Sequence, residues 1–335
     1  MKRFITLDDF YDLYHKFKQR GLRFILSRFN SRSILITKSA FNQTRHESAD
    51  WWVIPTVRER WNKMISGNPK EDYISFFVNN YLSGKKNLKL ISFGSGSCSA
   101  EIELAKHGVF EEIVCVDIAK NRLDEAREIA KRHNLDCMNF LCQDANSMDI
   151  SSNYYDIVFF QASLHHFDNI KSFTENSIKR VLKDKGLLVI NEYVGPRRLQ
   201  FPKTQIIKIN EGLNLIPKKY KTRYLSNLSR RKYYGSGILR MILADPSECI
   251  DSESILPSIY THFEKIAEKP FGGSILMTVL KDISNHFLEL NGEKSLILTK
   301  LFDFEDIYLN YYRNNGVVID MNYKFSNTLG ESVEI

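Results

Sequence analysis

Apolar and polar positions alternate in a regular way through the middle of the chain. Leu88, Leu90, Ile91 and Phe93 form a continuous apolar run that stops at Gly94-Ser95-Gly96 and gives way to an amphipathic segment carrying Ile102, Leu104 and Ala105. A short apolar run bounded by glycine reads as a buried strand, and apolar positions at helical spacing read as a helix. The alternation continues through Ile113 to Val116, ending on Asp117, and a charged helix from Lys120 to His133. A short strand follows from Cys137 to Cys142, ending in Gln143-Asp144-Ala145. A fourth strand runs from Tyr155 to Gln161 and a fifth from Leu187 to Ile190. Strands alternating with helices through short connections predict an α/β core with a parallel sheet.

The flanks read differently. Thr6 can cap a helix over 6–29, with Asp9 at its third position and Phe10, Leu13, Tyr14 and Phe17 at helical spacing. Trp51-Trp52-Val53-Ile54-Pro55 leads into a helix through Val57, Trp61 and Ile65 to Gly67, and a further helix over 71–83 leads into the first strand. Past the fifth strand, Thr204 to Leu215 reads as a helix and Asp245-Pro246-Ser247-Glu248 as the start of another. Phe263 to Lys269 reads as a strand, 275–290 and 295–312 as helices, and 317–325 as a closing strand.

The turn after the first strand has a physical purpose. Without a Cβ, Gly94 and Gly96 can take positive φ and let a ligand lie against the backbone, while the free N–H groups of the next helix face it. Asp117 falls about 20 residues on, where a doubly wound fold places an acid against a ribose. A dinucleotide fingerprint needs a third glycine, and Ser99 stands there. The loop suits a nucleoside but lacks the full dinucleotide signature.

These segments together resemble the class I S-adenosylmethionine-dependent methyltransferases over about Leu88 to Val194. The family's motifs match ISFGSGSCSAEIELA, VCVDIAKNRL, CQDANSMD, YDIVFFQASLHHF and LKDKGLLVINEYV. The departure is Cys98, at a position where a third glycine is frequent. The resemblance implies that Gly94, Ser95 and Gly96 approach the methionine part of S-adenosyl-L-methionine and that Asp117 binds the ribose hydroxyls. It implies that Ile118 packs the adenine and Asp144 and Ala145 meet its edge, with Gln161 facing the cofactor from the end of the fourth strand. It also implies a doubly wound, Rossmann-like, mostly parallel seven-stranded sheet with a helical N-terminal cap and helical insertions after the fifth and sixth strands. The corresponding division is a cap over 1–85, the cofactor-binding core over 86–195, a basic helical lid over 196–260, and C-terminal strands with inserted helices over 261–335.

Composition narrows the picture. At 335 residues with 43% hydrophobic content the chain can bury a core and an elaboration. It has no run of the roughly 18 apolar residues that a membrane span needs. Asp8 and Asp9 interrupt any signal-like apolar stretch, so a soluble, cytoplasmic protein is expected. Five cysteines without a Cys-x-x-Cys pair give neither a disulfide framework nor a zinc site, and no metal site follows. The net charge of +7 is concentrated: 197–240 holds twelve Lys/Arg against the single acid Glu211. With Tyr220, Tyr224, Tyr233 and Tyr234 among them, these bases suit an anionic ligand or form a solvated helical face.

Candidate chemistry lies at the C-terminal ends of the fourth and fifth strands, which face the ligand in an open parallel sheet. His165 and His166 follow the fourth, and since neighbours cannot share a helical face, at most one is expected to point into the cleft. A histidine near its ordinary pKa can take a proton from a hydroxyl during methyl transfer, or both can be structural. Glu192, closing the fifth strand, can orient a substrate, act as the base, or hold the following loop. Gln161-Ala162-Ser163-Leu164 stands where nucleobase N-methylating relatives have Asn/Asp-Pro-Pro-Tyr/Phe, and neither a Pro-Cys nucleophile nor a paired-carboxylate metal cluster is present. The expected activity is therefore metal-independent methylation of a hydroxyl or amine on a small or medium-sized substrate, such as an anionic sugar conjugate, with a homodimer possible. The alternatives are an RNA methyltransferase using the basic segment, although nucleic acid is not the favoured partner, and an inactive cofactor-binding protein.

Overall fold

The computed structural model describes residues 2–14, 50–314 and 324–329. Most of the N-terminal helix expected over 6–29, and the start of the closing strand expected over 317–325, lie outside them.

Among the described residues, seven strands form one sheet: β1 (Leu88–Phe93), β2 (Phe110–Asp117), β3 (Met138–Cys142), β4 (Tyr155–Gln161), β5 (Leu182–Glu192), β6 (Glu264–Pro270) and β7 (Lys324–Leu329). Their order is β3-β2-β1-β4-β5-β7-β6, and the first five are parallel while β7 runs antiparallel to both its neighbours. Because β1 lies between β2 and β4, the connections on its two sides wind opposite ways and leave a crevice at the strand C-termini. The pairings Phe93↔Val116 and Gln161↔Asn191 bring those ends to a common edge.

The central strands read as unbroken apolar runs because both faces of the sheet are covered. One face packs Leu90, Ile113 and Phe159 under helices α1 (Pro55–Ser66), α2 (Tyr73–Tyr81), α3 (Ser99–Lys106) and α4 (Lys120–Arg132). The other packs Ile91, Val158 and Leu188 under α5 (170–181), which contains a π-helical turn at Thr174–Ile178. Helix α1 begins on Pro55 and ends on Gly67 at φ +85°, while Asp72 caps α2 by accepting from Ser75 N at 2.8 Å.

A third core lies beyond the sheet. Trp51, Ile54 and Val57 join Tyr193 and Phe201, α6 (Lys203–Asn214), α9 (Leu276–Leu280) and α10 (Gly292–Asn314) around Ile209, Leu213, Val279 and Leu301. The N-terminal segment, the insertion and the C-terminal helices thus bury their apolar faces together.

Three expectations for this region need correction. Asp245 to Glu248 does not begin a helix: Asp245 caps the C-terminus of α7 (Ile238–Ala244), and the next residues form a turn before α8 (Ile255–His262). The helix expected over 275–290 is broken at Asp282, whose φ is +65°. Its backbone carbonyl accepts from Tyr224 N at 2.7 Å, and its carboxylate receives Arg223 at 2.5 Å and Arg230 at 3.3 Å. Those contacts fix it outside helical geometry.

The third correction concerns the basic segment, which is not simply a solvated or ligand-facing surface. Arg223 and Arg230 are 3% and 4% exposed in their side chains and share Asp282, while Arg240 pairs with Asp9 at 2.9 Å and Asp12 at 3.2 Å. Lys208 and Lys219 pair with Glu211 and Glu293. Much of the positive charge is neutralised by acids from both ends of the chain, because an arginine leaving water needs a carboxylate to compensate its desolvation.

Candidate functional site

The glycine turn is stapled to the end of β2. Gly94 and Ser95 both donate to Val116 O, at 2.8 and 3.1 Å, and Gly96 N donates to Asp117 Oδ2 at 2.8 Å. Asp117 Oδ1 accepts from Ala119 N at 2.7 Å at the start of α4. One carboxylate therefore holds two backbone segments, each of its oxygens keeping a second lone pair for a ligand hydroxyl. Gly94 and Gly96 have φ of +69° and +56°, the left-handed region that glycine enters without strain. A Cβ on Gly94 would lie 2.8 Å from Ser163 Cβ, so this glycine also makes room for the loop after β4. A Cβ on Gly96 would approach Arg122 Nη1 at 3.6 Å, which puts a guanidinium over the turn.

The remaining nucleoside candidates flank this cradle. Ile118 is half-buried beside Asp117, and its carbonyl lies 3.8 Å from Cys142 Sγ. Asp144 caps the single turn Ala145–Ser147 by accepting from Asn146 N at 3.0 Å, while Ala145 is buried. Gln161 Oε1 accepts from the hydroxyl of Tyr73, a residue of α2 that reaches over the ends of the central strands. Two left-handed glycines, an anchored carboxylate and a small-residue edge are of the kind that accommodate a nucleoside such as that of S-adenosylmethionine.

Glu101 lies beneath the cradle, 1% exposed, and accepts from Ser92 Oγ at 2.5 Å. Burial raises its carboxyl to about 7, with the Asp117 charge adding to the rise. An acid whose folded pKa lies above its unfolded value costs nothing below about pH 4.5 and destabilises increasingly as pH rises through 7. We expect Glu101→Gln to be more stable than the parent at pH 8 by about 3 kcal/mol and close to it at pH 4.5. Urea titrations at the two pH values check this, and an equal effect at both would contradict it.

The segment after β4 is one 3-10 turn, Leu164–His166, tied to the cradle because Ser163 Oγ donates to Phe93 O at 2.8 Å. The His165 and His166 rings lie 4.2 Å apart and both face Glu248. Successive side chains of a 3-10 turn diverge by about 120°, so the convergence comes from the two side-chain rotamers and not from the backbone. His165 Nε2 is 3.8 Å from Glu248 Oε1, and His166 Nε2 is 3.9 Å from Oε2. His166 Nδ1 meets Ser247 Oγ at 3.0 Å, and that hydroxyl donates to Asp245 Oδ1 at 2.6 Å.

Glu192 takes the loop-holding role among the three open to it. It is fully buried, accepts from Ser163 N, Leu164 N and Tyr193 N at 2.8, 2.7 and 2.9 Å, and pairs with His165 Nδ1. Burial alone would lower the His165 pKa, but the Glu192 charge and hydrogen bond outweigh it and raise it to about 9. His166 moves the other way, lowered by burial and by the His165 charge. Of the residues missed from sequence, Tyr73 stood among apolar helix positions, and Glu248 was hidden because the spacing Asp245-x-x-Glu248 also suits a helix start.

A methyltransferase domain model matches residues 91–190. A comparison with curated proteins found no match. Among solved structures, the chain is similar to geranyl diphosphate C-methyltransferase from Streptomyces coelicolor, solved with S-adenosyl-L-homocysteine, at 12% identity over 90% of this chain and 99% of that one, TM-score 0.49. It is similar to the [4+2]-cyclase SpnF at 15% identity over 78% and 80%, TM-score 0.44. It is also similar to a SAM-dependent methyltransferase from Aquifex aeolicus at 19% identity over 44% and 77%, TM-score 0.33. None of the helices described is long and apolar enough to cross a membrane. The matched methyltransferase domain, residues 91–190, spans the glycine cradle, Asp117 and the β4 end, and S-adenosylmethionine is the cofactor it implies.

Proposed function

We propose that the chain transfers a methyl group to a hydroxyl or amine of a small or medium-sized acceptor, such as a sugar conjugate or another specialised metabolite. The observation that carries this reading is the direct contact between the glycine cradle and the segment bearing His165 and His166, made through Ser163 against Gly94 and Phe93. S-adenosylmethionine, when bound, supplies an electrophilic sulfonium methyl. The protein's work is then alignment of the nucleophile and uptake of its proton.

In this reading Gly94, Ser95 and Gly96 hold the methionine end, Asp117 the ribose, and Ile118, Asp144 and Ala145 the adenine. Gln161, fixed by Tyr73, stands between cofactor and acceptor. The acceptor's proton goes to His166, kept uncharged by burial and by the His165 charge, and not to His165, whose ring Glu192 holds protonated, or to Glu192 itself, whose oxygens are occupied. The cover over the strand ends comes from α2, through Tyr73, and from the turn bearing Glu248. An anionic acceptor is not required, since five of the twelve bases that suggested one, Lys208, Lys219, Arg223, Arg230 and Arg240, are paired internally. The same pairing weakens the support for an RNA substrate.

Calorimetric titration with S-adenosylmethionine and with NAD tests the cofactor. Release of S-adenosylhomocysteine across neutral and phosphorylated hydroxyl and amine acceptors tests the reaction. We expect binding of the former alone, with a dissociation constant on the order of 1–100 μM, and turnover with a small acceptor. Binding of NAD alone, or turnover only on RNA, would overturn the proposal.

A further inference from the structure

The geometry points to a binding site for one divalent transition-metal cation between His165, His166 and Glu248. This stands on side-chain geometry and does not depend on the methyl-transfer reading.

The ligand atoms of the three residues all lie within 4.8 Å of one another. Their chemistry follows from their hydrogen bonds. Ser247 Oγ gives its proton to Asp245, so it accepts from His166 Nδ1, which places the His166 proton on Nδ1 and the lone pair on Nε2. Glu192 is an acceptor only, so His165 donates to it from Nδ1 and turns Nε2 toward Glu248, where a binding cation displaces the ring's second proton. Each imidazole therefore presents Nε2 to the same carboxylate, at 3.8 and 3.9 Å. Those separations are too long for hydrogen bonds.

Two imidazole nitrogens and a carboxylate oxygen around one cation at bonds of about 2.0–2.2 Å stand roughly 3.0–3.5 Å apart. The His–Glu separations exceed that by about half an ångström and the 4.8 Å that bounds the triad by a little over one, a closure within reach of side-chain rotation. The outer contacts are of the kind that orient metal-bound histidines, each with its second ring nitrogen tied to a carboxylate, directly through Glu192 or through Ser247 to Asp245. Nitrogen-rich donors favour Zn²⁺, Co²⁺ or Fe²⁺ over Mg²⁺ or Ca²⁺. Three protein ligands leave a coordination position open for a water or an acceptor oxygen.

The test uses the full chain without an affinity tag, stripped with a chelator and titrated with Co²⁺ by visible absorption and with Zn²⁺ by calorimetry. We expect one ion per chain and visible bands of a low-symmetry Co²⁺ site. Glu248→Gln and His166→Asn should each weaken binding at least tenfold, and Glu192→Gln, acting only through His165, by about 10- to 100-fold. Titration of the same preparations with S-adenosylmethionine shows whether each variant is folded. It also separates failure of this site from failure of the cofactor reading. Absence of one-to-one binding, or retention of wild-type affinity in both Glu248→Gln and His166→Asn, would overturn the inference.

Discussion

Glu192→Ala should destabilise the fold by at least about 4 kcal/mol, the largest effect we expect of any single truncation in the chain. The side chain has no exposed surface, and its two oxygens receive three backbone N–H groups and the His165 ring. Truncation leaves Ser163 N, Leu164 N and Tyr193 N without their acceptor, each worth about 1–3 kcal/mol when buried. It also strands a buried imidazole whose charge Glu192 compensates, for which breaking a buried pair typically costs about 3–5 kcal/mol. Not all of this is lost, because the 161–167 loop can relax toward water. Against a total stability of about 5–15 kcal/mol the deficit is large. Urea unfolding at pH 7 checks it. Glu192→Gln, which keeps the volume and an acceptor oxygen, should lose about half as much. A change below about 1 kcal/mol in the alanine variant would mean that other contacts hold the loop.

Gly94→Ala should reduce affinity for S-adenosylmethionine at least 30-fold, or about 2 kcal/mol. The new Cβ would lie 2.8 Å from Ser163 Cβ at a φ of +69°. Left-handed backbone alone costs an alanine about 1–2 kcal/mol. The turn escapes the clash only by moving, which pulls Gly94 N and Ser95 N off Val116 O and shifts the floor of the cofactor site. Gly67→Ala is the control: its φ is +85° but nothing lies within 4 Å of the added carbon, so it should lose stability and keep the cofactor. Adding Ser163→Gly to Gly94→Ala removes the opposing Cβ and should restore part of the affinity. Calorimetry on the three variants decides the matter. Unaltered affinity in Gly94→Ala would show that the turn is not part of the cofactor floor.

The sheet core was legible for a simple reason. A parallel strand covered on both faces must be apolar throughout, so Leu90, Ile91 and Phe93 or Val158, Phe159 and Phe160 announce themselves without knowledge of their partners. The glycine cradle was legible because positive φ restricts the residue type locally. The helix broken at Asp282 was not legible. Its local pattern is helical, and what overrides it are two arginines more than fifty residues away. The basic segment misled for the same reason: a charge count cannot say that Asp9, Asp12 and Asp282 arrive from distant parts of the chain to meet it.

By itself the sequence determined the α/β core, the glycine turn and the acid at the end of β2, because each depends on residues close together in the chain. Only the tertiary structure decided the use of the side chains around that core. It made Glu192 a buried anchor, turned both histidines toward Glu248, brought Tyr73 to Gln161, and neutralised much of the basic segment. Those outcomes are set by desolvation and pairing between residues far apart in sequence, and a charged group acquires its role only when the fold brings it its partner.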